Sequence, residues 1–201
     1  MISDLLHLRT SIAYCTWMLV FAVCSSVFGE KDEATSEFKT HAIKLTSSAF
    51  ADHQTIPTRY TCAGQDISPP LTWKGVPLQS RELVLICVDP DALTMEPRVH
   101  WVLYGVTPRV THLPAGILRE EELRFPEKAR QGVNWQKQEN VGYCGPLAPD
   151  GPRIHHFHFT LYALSQKLFL PIRATKGEVI RAMQGHVLAT GKIVGTVERK
   201  P

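Results

Sequence analysis

Apolar positions in this chain fall into short runs punctuated by Gly and Pro, and only one stretch near the C-terminus keeps a helical period. The clearest run is LVLICV at residues 83–88, free of charge and breaker and closed by Asp89-Pro90-Asp91. A run that short and rich in Val and Ile reads as a strand buried on both faces. Past a loop containing Pro97, alternation resumes at His100-Trp101-Val102-Leu103-Tyr104. Period 2 places His100, Val102 and Tyr104 on one face and Val99, Trp101 and Leu103 on the other. If the two strands pair as a long hairpin, the acids ending the first lie near the histidine opening the second. A third strand, residues 155–164, sets His155, Phe157, Phe159, Leu161 and Ala163 on one face, with His156, His158, Thr160 and Tyr162 on the other.

The remaining elements are shorter. AIKLTSSAF from Ala42 reads as a first strand, Ile56 to Thr61 as a second, and Ile67 to Trp73 as a third. The prolines in that third piece restrict it to an edge or an irregular crossing. ILREEELRFPEKAR has room for a helical turn or two before Pro126, and Gln131 to Asn134 reads as polar and flexible. Thr175-Lys-Gly-Glu178 matches a capping box, opening a helix with the stripe Val179, Ile180, Met183, Val187 and Leu188. Gly191 ends that helix, which should cover one end of the fold, and KIVGTVER forms the last strand. Short strands with no βαβ rhythm predict an antiparallel, Greek-key-like β-sandwich with a C-terminal helix.

The 201 residues are 44% apolar and 20% charged, ordinary for one globular domain, and a net charge of +3 without a basic cluster gives no support for nucleic-acid binding. Residues 1–29 differ: Arg9 precedes an uncharged stretch from Ser11 to Gly29, with Val27 and Gly29 at the small-residue positions of a cleavage site. This is the pattern of a secretory signal peptide. It predicts a protein exported to the periplasm or secreted, with a polar linker at 30–41 and a domain at 42–201. An uncleaved membrane anchor and lipidation at Cys24 stand as alternatives. In an oxidising compartment, the loop cysteines Cys62 and Cys144 are the expected disulfide, while Cys87 lies inside a buried strand.

Asp89, Asp91 and His100 propose a polar pocket at a sheet rim, although Asp-Pro-Asp is also what a plain turn requires. Three histidines at 155, 156 and 158 invite a zinc reading. Strand parity separates them, leaving His156 and His158 with no carboxylate beside them, so no metal is expected.

Taken together, DPDAL…HW at residues 89–101, GYCGPLAPDG at 142–151 and IHHFHFTLYAL at 154–164 resemble the phosphatidylethanolamine-binding protein family, which includes the Raf kinase inhibitor proteins. SSAFADHQTIPTRYTCAGQDISPPLTWKGVP at 47–77 and AMQGHVLATGKIVGT at 182–196 are nearer to its bacterial branch. The resemblance runs colinearly from Ala42 to Val197. It implies a pocket for a small anion, such as the phosphate of phosphoethanolamine or of a phospholipid headgroup, with no cofactor. By motif position its lining is Asp89, Asp91, His100, Gly145, Pro146 and His155, with Tyr143 nearby. Phe157 stands where tyrosine is common, Leu93 and Ala148 replace prolines, and His156 replaces the arginine of eukaryotic members. The family also implies a regulator of a kinase or protease, and homodimerisation stays open. A hydrolase built on the His/Asp pocket and a pure protein-interaction module are the competing classes. Against the hydrolase, there is no GxSxG and no motif-placed nucleophile. Export makes a simple expectation: N-terminal sequencing of the mature protein should begin just after Gly29, and an intact Met1 would overturn cleavage.

Overall fold

The computed structural model describes residues 41–136, 140–147 and 153–198. The signal segment 1–29, the linker to residue 40 and Ala148 lie outside the described residues. The strands are β1 His41–Ala42, β2 Lys44–Thr46, β3 Gln54–Thr55, β4 Leu71–Lys74, β5 Glu82–Asp89, β6 Arg98–Val106, β7 His112–Leu113, β8 Arg130–Gln131, β9 Ile154–Leu164 and β10 Val187–Glu198. The helix is α1, Lys176–Met183.

One sheet runs β1-β10-β9-β5-β6-β8, with β3 also on β10, and a second runs β2-β4-β7. The long strands pair antiparallel as expected, whereas the two-residue strands β1 and β3 add to β10 in parallel. β5 sits between β9 and β6 and is buried on both faces, as its unbroken apolar run requires. Leu83, Leu85 and Cys87 enter the core shared with the small sheet, where Leu45, Leu71, Trp73 and Leu113 meet Trp101, Phe159 and Leu161. Val84 and Ile86 enter the opposite layer, with Val102, Tyr104, Ala174, Val179 and Met183. Each such side chain contributes about 1.5–3 kcal/mol of burial. The helix therefore covers the outer face of the large sheet, where it was expected to cover one end.

Several expectations need correction. Residues 56–61 hold a 3-10 turn, Thr58–Tyr60, in place of a strand. The stretch before Pro126 contains no helix. Leu123 and Ala129 anchor it in the core, and Glu122 bridges Arg130. The capping box forms as read, with Thr175 accepting from the Glu178 N–H and Glu178 accepting in return. The helix nonetheless stops at Met183, and Gly185, at φ 76°, turns the chain. Val187, Leu188 and Gly191 belong to β10, because pairing with β9 satisfies a whole row of backbone groups that a solvent-exposed helix end would not. Gln131 is fully buried: it accepts from the Trp101 indole and donates to the Leu118 and Glu120 carbonyls. That segment is a brace, where flexibility was expected.

β10 approaches β1 and β2 so closely at Gly191 that a Cβ there would overlap the Ile43 carbonyl oxygen. Gly191→Ala is therefore expected to cost about 2 kcal/mol by overpacking. Thermal unfolding should show a Tm lower by roughly 4–8 °C, and an unchanged Tm would contradict this packing.

Candidate functional site

The adjacent ends of β5, β6 and β9 carry the residues singled out in the sequence. The β6 register slips between the partners of Cys87 and Val88, which are Trp101 and Val99, leaving His100 as a bulge residue. Such a bulge turns the following side chains onto the other face. Val99 packs with Val102 and Tyr104, while His100 points with Trp101 toward Phe157. Simple alternation had put His100 with Val102 and Tyr104. The bulge corrects this and delivers His100 to the face bearing Asp89 and His155.

At that face Asp89 and His155 are both buried, and His155 Nδ1 lies 2.8 Å from Asp89 Oδ2. Asp89 Oδ1 accepts from the Asp91 N–H at 2.9 Å, so turn chemistry and pocket chemistry share one carboxylate. Asp91 is more exposed and forms a second pair, its Oδ2 contacting His156 N and Nδ1 at 2.8 and 2.7 Å. Partial burial works to raise the Asp91 carboxyl, but the His156 hydrogen bonds and charge outweigh it and hold it below the usual carboxylate range. His156 is thus committed to Asp91, and His158 faces outward beside Lys192. Among the described residues no three His, Cys, Asp or Glu side chains converge as a metal would require.

A backbone carbonyl and an aromatic ring hold His100. Its Nδ1–H donates to the Cys144 carbonyl at 2.7 Å, and the Cys144 N–H returns a bond to the His100 carbonyl at 2.8 Å. The imidazole and the Phe157 ring meet in a T-shaped contact with centroids 5.0 Å apart. Burial pushes its pKa below the ordinary 6.5, although the Cys144 carbonyl and the Asp89 carboxylate pull the other way. His100 Nε2 is buried without a hydrogen-bond partner among the described residues.

The 142–147 loop acts through backbone placement. The Gly145 N–H donates to Asp66 Oδ1 at 2.6 Å, and Asp66 pairs with Arg119. A Cβ at Gly145 would press on Asp66 and the Thr61–Cys62 backbone, so only glycine allows this approach. The Pro146 carbonyl accepts from the Cys62 N–H at 3.0 Å. The Cys144 and Gly145 amides are thus both engaged within the protein, and the loop braces His100. Tyr143 is core: it donates to the Tyr60 carbonyl at 2.7 Å and stacks edge-on to Trp101. The expected Cys62–Cys144 disulfide is not formed, and Cys62, Cys87 and Cys144 are all free thiols. Cys62 belongs to the 61–66 turn while Cys144 is turned into the core.

Sequence reasoning missed Trp135, which packs beside His100 at this rim. Its ring faces His100 with centroids 6.1 Å apart, and the Arg98 guanidinium lies 4.7 Å from its centroid. The only sequence signal was an aromatic directly after the buried Asn134, whose amide donates to the Gly142 carbonyl. A cleft of about 580 Å³ lies at the opposite end of β5, among Ser80, Arg81, Arg109 and Lys167. It holds no carboxylate or imidazole, so the chemistry marks the β5 C-terminal rim and volume alone does not.

The buried imidazole sets a sign for pH dependence. In the unfolded chain His100 takes up a proton near pH 6.5, whereas in the fold it resists until lower pH. Its contribution to stability is present above about pH 6.5 and is lost as pH falls from there through the folded pKa. An NMR titration should therefore place the His100 midpoint below that of a free histidine, and a midpoint at or above it would contradict the burial.

Comparison with known proteins identifies relatives of the chain and of its fold. The family model for phosphatidylethanolamine-binding protein matches residues 46–198. A UPF0098 protein of Methanothermobacter thermautotrophicus is 41% identical over 157 residues, covering 78% of this chain and 99% of that one. A UPF0098 protein of Chlamydia trachomatis is 36% identical over 161 residues, covering 78% and 99%. Among solved structures, a putative phosphatidylethanolamine-binding protein homologue from Chlamydia trachomatis superposes with a TM-score of 0.69 at 36% identity, covering 80% of this chain and all of that one. Escherichia coli YbcL, described as a new member of the mammalian PEBP family, gives 0.71 at 28% identity, covering 79% and 99%. With the family model matching residues 46–198, from the end of β2 through β10 and across every segment that shapes the rim, the chain belongs to the phosphatidylethanolamine-binding protein family.

Proposed function

We propose that this protein binds a small phosphoryl anion at the β5–β6–β9 rim, of the kind carried by phosphoethanolamine or a phospholipid headgroup, and holds it without transforming it. The observation that carries the reading is the buried, unpartnered Nε2 of His100, opposite a buried Asp89–His155 pair. A buried polar atom left without a partner costs about 1–3 kcal/mol, a cost a bound ligand would remove. His100 is rigidly oriented by the Cys144 carbonyl, so it presents that nitrogen in one direction. The carboxylates have a role beside an anion because a headgroup ammonium is a natural partner for Asp91, the more exposed of the two. The lost tyrosine hydroxyl at Phe157 removes one donor, and the exposed Leu93 lies on the loop outside the buried pair.

Binding is favoured over catalysis by the state of the nearest thiol. Burial pushes Cys144 up to about 12, so it remains a protonated thiol near neutral pH and is a poor nucleophile. Export through residues 1–29 would place this pocket in the periplasm or outside the cell.

Calorimetric titration with phosphate and with phosphoethanolamine tests the reading. Saturable binding is expected in the wild type, weakened at least tenfold in His100→Ala and in Asp89→Ala. A folded wild-type protein that binds neither would overturn it.

A further inference from the structure

The cleft of about 580 Å³ at the opposite end of β5 is lined from three separate connections, each braced by backbone bonds. Between β4 and β5 the Ser80 N–H donates to the Pro77 carbonyl at 3.0 Å, and the Arg81 N–H donates to the Leu164 carbonyl at 2.7 Å. Between β6 and β7 the Val110 N–H donates to the Thr107 carbonyl at 3.0 Å. After β9 the Ser165 N–H donates to the His186 carbonyl at 2.9 Å. Each connection brings one cation to the cleft: Arg81, Arg109 and Lys167.

All three cations are exposed, and no acid lines the cleft beside them. Among the described residues none of the three is in an ion pair, whereas Arg119, Arg130 and Arg173 each have a carboxylate partner. Glu82 interacts with Lys167 through its charge, but it is buried, and its two oxygens accept from the Gly105 and Leu168 N–H groups. Like charges gathered without a counter-charge repel one another and raise the local concentration of anions. Ser80 also lines the cleft at 7% exposure, and its hydroxyl has no hydrogen-bond partner among the described residues. An anion seated against the 77–80 turn offers that hydroxyl an acceptor, reached by rotation about a single torsion.

Two apolar side chains narrow the kind of anion. Leu78 lines this cleft, Phe169 lines an adjoining one that shares Arg81 and Lys167, and both are almost fully exposed. A small inorganic anion would use the cations and leave both apolar groups in water. A bilayer surface is flat and would meet the cations only at the mouth of a recess. An extended peptide enters a recess of this size, which lies within the range of about 300–1,000 Å³ typical of ligand sites. Its neighbouring side chains can be carboxylate and apolar by turns.

We propose that this cleft docks an acidic peptide segment of a partner protein, with Arg81, Arg109 and Lys167 pairing its carboxylates while Leu78 and Phe169 contact apolar side chains beside them. The site is separate from the β5–β6–β9 rim and does not rest on the function proposed there.

The test is fluorescence anisotropy on the intact protein with a labelled glutamate-rich peptide containing leucine, beside the same peptide with glutamine for glutamate. Wild type should bind the acidic peptide about tenfold more tightly than its glutamine counterpart, and added salt should weaken that binding. Arg109→Glu should weaken it about tenfold, since it replaces an attraction by a repulsion. Lys167→Gln, on a different connection, should weaken it several-fold, so the outcome does not hang on one variant folding, and an unchanged Tm shows that each is folded. Lys192→Glu, beside His158 and outside the cleft, should leave binding unchanged. Absence of binding by wild type, equal affinity for the two peptides, or equal losses in Lys192→Glu and Arg109→Glu each overturn the inference. So does binding to phosphatidylserine-containing vesicles, lost in Arg109→Glu, by a protein that ignores the peptide.

Discussion

A strand buried on both faces leaves no room for an unpaired polar group, and β5 meets that demand with a buried carboxylate at each end. At the N-terminal end Glu82 accepts from the Gly105 and Leu168 N–H groups at 2.8 Å each. Burial still pushes its pKa up, against those two bonds. At the C-terminal end Asp89 accepts from the Asp91 N–H and meets His155. The first acid ties β6 and the 165–170 connection to the sheet, and its bonds are all internal. The second faces a rim where a histidine nitrogen is left over. One device, a terminal carboxylate on the central strand, therefore closes β5 with backbone bonds at one end and with a histidine pair at the other.

The rim depends as much on an irregularity as on regular pairing. One extra residue in β6 sends His100 to the Asp89 face, and the bulged backbone offers its carbonyl to Cys144. That exchange anchors the 142–147 loop, which turns back over Thr61–Asp66 and closes on Asp66 and Arg119. Gly145 and Pro146 are thus packing and orienting residues for the bulged His100 backbone.

The same accounting bears on the thiol nearest the rim. A nucleophile needs a group whose proton leaves readily and a base within reach. Cys144 is buried with a strongly raised pKa, and the nearest imidazole gives its Nδ1–H to the Cys144 carbonyl, away from any thiol proton. His155 is engaged with Asp89.

Much of this was legible from sequence because local chemistry decided it. The doubly buried β5, the parity of β9 that puts His155 inward and His156 outward, and the capping box at Thr175 follow from residue pattern and near-neighbour bonds. Spaced motifs were enough to identify the family and nominate Asp89, His100 and His155. Tertiary structure decided what depends on a partner segment. Alternation predicted the wrong face for His100, because a bulge is fixed by the register of two strands and not by one strand's composition. Val187 and Leu188 kept a helical spacing yet joined β10, since β9 offered a full ladder of backbone partners. Tyr143, placed by motif beside the pocket, turned its hydroxyl into the core toward Tyr60. Trp135 carried no local signal beyond its place after Asn134, because only the folded loop brings its indole against an imidazole distant in the chain.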